Sequence, residues 1–250
     1  MTSINSNYNL SNSFHIPNIG FKSKSSGYIP KTAFVSDGYV SNPLYNIFGT
    51  QSEIEAAVKA SPRIQEILRE YKLSGKVNIS ELEKLKTGHL QDTRITAAKI
   101  YSNLPGNLKQ EVNPKELQEA AMFHDYGKVL IPENILNKNG ELNEAEWAVM
   151  QQHSELGAEH LKNKNLSFRA KELVKYHHQN KGNGGYPVVS DYEYGLDSEI
   201  LSVADRFGAL TEERSYKPAM SKHDALAVIE KDVNEGIISK EVFEALKKSV

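Results

Sequence analysis

Six side chains able to hold a metal ion or move a proton are spread from the middle of this 250-residue chain onward: His124-Asp125, His153, His177-His178 and Asp205. Leu117, Ala120, Ala121 and His124 fall at i, i+3, i+4 and i+7, so His124 continues the apolar stripe of a helix. His153 follows Met150 at i+3, His177 and His178 follow Val174 at i+3 and i+4, and Asp205 follows Leu201 at i+4. Each group is thereby directed inward or beside the inward face. Burying an imidazole next to a carboxylate is costly unless something compensates. A divalent cation does so by taking a ring nitrogen and a carboxylate oxygen together. One such pair is ordinary in a protein core; four sites on four helices are not.

Nitrogen and oxygen donors without sulfur suit Mn, Fe, Ni, Zn or Mg. The donors outnumber what one ion takes, so two ions sharing Asp125 as a bridge is the natural solution. Two ions about 3.5–4 Å apart are a standard device for hydrolysing phosphate esters.

The elements that must position these groups read as all-α. Ile54, Ala57 and Val58, then Ile64, Ile67, Leu68 and Tyr71 after Pro62, recur at helical spacing. Ser80 to Glu83 has the spacing of a capping box. Further helices are expected over Thr93–Ser102, up to His124, from a capped start at Asn143 with Glu146, around Leu173–His177, over Ile200–Leu210, and near 222–234 and 239–248. Turn residues fill 131–140 and 179–187, and no stretch alternates as a strand would.

Residues 1–50, rich in Ser and Asn with scattered aromatics such as Tyr45 and Phe48, read as a disordered or loosely attached tail. Residues 51–78 form a short helical lead-in, and 79–250 the domain that carries the chemistry. Thirty basic and 32 acidic residues nearly cancel, which argues against a DNA or RNA polymer or a membrane surface as partner. The chain has no cysteine, so disulfides and thiolate sites are excluded. No apolar run approaches the roughly 20 residues of a membrane span, and a cytoplasmic location is expected. The tail is the candidate route to a second copy of the chain or a signalling partner.

The run His124-Asp125-Tyr126-Gly127-Lys128, then Ile131-Pro132 with Ile135-Leu136, His153, His177-His178 and Gly185-Tyr186-Pro187 occur in a telling order. Ala204 to Leu210 around Asp205, and Arg214-Ser215-Tyr216-Lys217, complete the series. Together they resemble the HD-GYP branch of the HD metal-dependent phosphohydrolases over roughly residues 80–250. The resemblance implies a helical bundle with a bi- or trinuclear iron or manganese centre between its helices. It also implies hydrolysis of the bacterial messenger cyclic di-GMP to the linear dinucleotide, and in some members on to GMP. At matching positions His124, Asp125, His153, His177, His178 and Asp205 would be metal ligands. Asp125 and Lys128 would be catalytic, Lys128 lying against a phosphate, with Tyr186, Arg214 and Lys217 as further substrate contacts.

The chain departs from that pattern. Gln179, Gly182 and Asn183 stand where the family usually has Glu and then Asp-Gly, and Gly208 stands where Asp is usual. The first-ligand histidine normally lies three residues before an arginine, a position held here by Gln91 ahead of Arg94. One residue rotates a helical side chain by about 100°. A helix starting after Thr87-Gly88 would nevertheless leave His89 free to complete the first site, with Asp92 as the fallback. Neither Leu85 nor Thr87 supplies the glutamate associated with a third ion, so two divalent ions, Fe or Mn, are expected. Gln179→Glu is expected to leave activity intact or raise it, and removal of residues 1–50 to leave the domain folded. Two alternatives remain: an HD phosphohydrolase acting on another nucleotide, and a catalytically weak cyclic-dinucleotide sensor or partner-binding module.

Overall fold

Polar caps and apolar rows divide the chain into short helices. The computed structural model describes residues 44–181, 184–213 and 218–250. A single turn, α1 (Tyr45–Phe48), precedes α2 (Gln51–Ala60), which opens on a capping box between Thr50 and Glu53. Ser61 caps α3 (Pro62–Glu70), with Pro62 in the first turn where its missing N–H costs nothing. α4 (Ile79–Thr87) is capped by Asn78, which accepts from the Glu81 amide at 3.1 Å. The cap expected from Ser80 is therefore one helical start too late; Asn78 reaches the free amides first.

α5 (His89–Asn103) follows after Gly88 alone and runs longer than the expected Thr93–Ser102. α6 (Gly106–Lys109) leads to α7 (Pro114–Phe123), capped by Asn113. A 3₁₀ turn, Tyr126–Leu130, and α8 (Glu133–Leu136) precede α9 (Glu144–Leu161), which opens on the Asn143–Glu146 capping box. α10 (Phe168–Tyr176), α11 (Leu196–Thr211), α12 (Lys222–Asn234) and α13 (Lys240–Ser249) complete the order. Among the described residues there is no strand, only an isolated bridge between His178 and Tyr186.

α5 is the central helix, packed on α7, α11 and α13, while α10 joins α7 to α9 and α9 lies on the 3₁₀ turn. Leu90, Ala97, Ile100, Leu117, Ala120, Leu156, Leu173 and Ile200 are wholly buried between them. Burying each leucine or isoleucine among them is worth about 1.5–3 kcal/mol. A part-buried two-pronged ion pair, Arg169 to Asp197 at 2.8 and 2.7 Å, ties α10 to α11.

The lead-in is continuous with this core. Ile54, Val58, Ile64 and Ile67 are buried with it. Arg63 and Ser61 bond Glu155 and Glu159 of α9 at 3.1 Å each. The expected boundary at residue 50 is also displaced. Phe48 is fully buried, its ring 4.9 Å from Phe123 and 5.5 Å from Tyr126, and its carbonyl accepts from the Tyr126 hydroxyl. Residues 44–50 therefore pack with the domain; the tail expected over residues 1–43 lies outside the described residues. No helix among the described residues is long and apolar enough to cross a membrane.

Candidate metal centre

Asp125 owes its position to a helix that stops and to two glycines that let backbones touch. His124 keeps helical geometry at the end of α7, and Asp125 turns out of it at φ −93°, ψ 5°. Two residues on, the 3₁₀ turn lies directly on α9. A Cβ at Gly127 would stand 1.9 Å from the His153 carbonyl oxygen and 2.6 Å from the Gly157 nitrogen. No side chain fits there, and the close approach brings Asp125 Oδ1 to 3.4 Å from His153 Nε2. α10 ends at Tyr176 and presents His177 and His178 from its C-terminus; α5 starts with His89; α11 supplies Asp205.

The result is two groups of donors with one shared member. Asp125, His153, His177 and His178 bring ligand atoms within 4.8 Å of one another, and so do His89, His124, Asp125 and Asp205. Asp125 divides its oxygens between them. Oδ1 faces His153 at 3.4 Å and His177 at 3.9 Å, while Oδ2 faces His124 at 3.5 Å and His89 at 3.7 Å. Asp205 Oδ1 lies 3.0 Å from His89 Nε2 and 3.4 Å from His124 Nε2.

The imidazoles are oriented by their own helices. Nδ1 of His124, His153 and His177 meets the carbonyl three residues earlier, of Ala121, Met150 and Val174, at 3.0, 2.7 and 2.8 Å. A carbonyl at Nδ1 requires the proton there, which leaves each Nε2 lone pair pointing into the site. His153 Nε2 is 3.2 Å from both His177 Nε2 and His178 Nε2. His124 Nε2 is buried without a hydrogen-bond partner. Converging lone pairs and an orphaned ring nitrogen beside ionised carboxylates are what a cation would satisfy. The donors present fit a divalent metal.

Their protonation agrees. Burial pushes His153 down to about 4 and His178 down to about 3, and holds His177 well below the usual imidazole value. Burial alone would raise Asp125, but Lys128, His124 and His153 hold it well below the carboxylate range. Asp205 is held low in the same way by His124 and His89. Neutral rings and ionised carboxylates are the metal-binding forms. His89 differs: burial lowers it, yet bonds to Asp205 and Glu212 outweigh that and raise it to about 9. A cation at this cluster would take the place of that proton.

The remaining expectations divide. His89 stands in the cluster, while Gln91 turns to Met122 Sδ at 3.3 Å and to Arg94 at 3.1 Å, and Asp92 is not among the grouped donors. Leu85 belongs to the apolar core. Lys128 Nζ is paired with Asp125 Oδ2 at 2.6 Å. Tyr186 stacks on His178, centroids 4.4 Å apart and planes 29° from parallel. Buried Gln179 clamps the loop around Tyr186, accepting from the Gly185 amide at 3.1 Å and donating to the Pro187 carbonyl. Gly182, Asn183, Arg214 and Lys217 lie outside the described residues. Glu212 was missed: Oε2 lies 3.3 Å from His89 Nδ1, and its only signal is a position two helical turns after Asp205.

Comparison with known proteins converges on one fold. The HD domain family matches residues 77–240. The chain is 34% identical over 178 residues to the Vibrio cholerae 3'3'-cGAMP-specific phosphodiesterase 2, covering 70% of this chain and 33% of that protein. It is 36% identical over 142 residues to a cyclic di-GMP phosphodiesterase of Thermotoga maritima, covering 55% and 38%. It thus spans little more than a third of these relatives' length. Among solved structures, Bd1817, an HDG"Y"P protein from Bdellovibrio bacteriovorus, superimposes with a TM-score of 0.50 at 16% identity, over 85% of this chain and 74% of that one.

Proposed function

The chain belongs to the HD-domain family, and from that premise we propose that it is a metal-dependent phosphodiesterase opening a cyclic dinucleotide, cyclic di-GMP foremost, to the linear dinucleotide. Water adds across one ester bond of the ring, its oxygen going to phosphorus and a proton to the departing sugar oxygen. The observation that carries this reading is Asp125, one oxygen toward each of two donor groups. His153, His177 and His178 with Asp125 Oδ1 would hold one ion, and His89, His124 and Asp205 with Asp125 Oδ2 the other; iron or manganese suits these donors. The chemistry such a pair supplies is activation of water and neutralisation of charge on the phosphate oxygens.

The chain's own groups would do the rest. Lys128, part-buried beside Asp125, places a cation at the edge of the site, suited to a non-bridging phosphate oxygen. Tyr186, braced on His178 and held between the two ends of the Gln179 clamp, gives the substrate a fixed wall. By the family resemblance, Arg214 and Lys217 would contact the substrate.

A second substrate reading, 3'3'-cGAMP, is favoured by the name of the Vibrio cholerae relative, which covers 70% of this chain. The non-hydrolysing sensor is disfavoured by the completeness of the donor set. Protein purified without oxygen and loaded with Fe or Mn should convert cyclic di-GMP, 3'3'-cGAMP or both to linear product, followed by chromatography. No turnover of any cyclic dinucleotide at full metal loading would overturn the proposal.

A further inference from the structure

Trp147 is the single tryptophan of the chain, in the first turn of α9, and 48% of it is exposed. Exposure of one ring is ordinary on a protein surface, so what singles out Trp147 is its neighbours. The indole meets Tyr186 with centroids 6.0 Å apart at 81°, and Tyr186 in turn stacks on His178 and lies 6.2 Å from His153. Trp147 thus ends a series of rings that begins inside the donor cluster. It stands six residues before His153, about 9 Å along the helix axis, at the rim rather than in the centre. A phosphodiester held at the cluster carries its base outward past the sugar, on the scale of that offset.

We infer that Trp147 is a stacking platform for a nucleobase of the substrate, held at its angle by Tyr186. Aromatic stacking tolerates any base, so this platform supplies affinity for nucleotides and leaves the choice among bases to other contacts. The inference rests on the proposed phosphodiesterase reading for its ligand class, but its test does not require turnover.

A lone tryptophan makes the assay direct. The metal-loaded full chain is titrated with GMP and, separately, with ribose 5-phosphate, which has the same phosphate and sugar but no base. GMP should quench Trp147 emission; ribose 5-phosphate should not. Trp147→Ala should weaken GMP binding by calorimetry about tenfold to a hundredfold while ribose 5-phosphate binding is unchanged. Trp147→Phe should recover part of the loss. With a cyclic dinucleotide, the alanine change should raise KM by the same factor and leave kcat within about twofold. Absence of GMP binding, GMP binding without quenching, or equal weakening of both ligands in Trp147→Ala would overturn the platform. Failure of the wild-type chain to hydrolyse any cyclic dinucleotide, with the GMP results as expected, would instead overturn the phosphodiesterase reading alone.

Discussion

The ring of His89 occupies the space that a side chain on Gly208 would need: a Cβ at residue 208 would meet His89 Cε1 at 3.2 Å and Nδ1 at 3.4 Å. Two departures from the family pattern thus fit each other. His89 enters from the start of α5, two residues before the position the resemblance implies, and Gly208, where that resemblance implies Asp, leaves room for it. Gly208→Asp should push His89 out and lower metal content by one ion per chain, with the helical circular dichroism unchanged. Full metal content in that variant would show that the two positions are independent.

Gln179→Glu reverses direction once the loop is seen. A glutamate can accept from the Gly185 amide but cannot donate to the Pro187 carbonyl, which it would face with negative charge. Leaving a fully buried group unpaired costs about 1–3 kcal/mol, an upper bound for this part-buried carbonyl. The variant should melt lower and show a raised KM for the cyclic dinucleotide, contrary to the gain expected from restoring the usual family residue. Thermal melts and steady-state kinetics decide between the two.

Phe48 makes the N-terminal boundary measurable. Phe48→Ala should destabilise by about 3–5 kcal/mol, the range for emptying a fully buried aromatic site. Deleting residues 1–50 should therefore lower the melting point well below that of a chain lacking only 1–43. Equal melting points for the two truncations would mean that Phe48 contributes nothing.

His160 should make the fold acid-sensitive. Burial depresses it to about 4, from an ordinary value near 6.5. Between those values the unfolded chain takes a proton that the folded chain refuses, so stability is full above about 6.5 and falls as pH drops toward 4. The loss approaches about 3 kcal/mol. Chemical denaturation across this range should be flatter for His160→Gln than for the wild type; identical pH profiles would refute the assignment.

How much of this was readable in advance depends on the range of the interactions. His124, His153, His177, His178 and Asp205 could be picked out because helical spacing is local, and each follows an apolar residue by three or four positions. His89 depended on where α5 begins, which turned on Gly88. The Asn78 cap was mistaken for Ser80 because both sequences offer an amide-accepting side chain, and only packing selects between them. Glu212 beside His89, Gly208 beneath it and the Gln179 clamp around Tyr186 join elements distant in sequence or backbones that double back. No periodicity reports them. Phe48 was hidden differently: one buried ring in a stretch without a repeating apolar face gives no pattern.

The central claim is that Asp125 bridges two ions, and elemental analysis of the full chain tests it most directly. Manganese-reconstituted wild type, freed of loosely held metal, should carry two ions per chain. Asp125→Asn, which keeps the shape but loses the charge on the shared carboxylate, should carry at most one and lose nearly all hydrolysis. One ion or none in the wild type, or two ions and undiminished turnover in Asp125→Asn, would contradict the account.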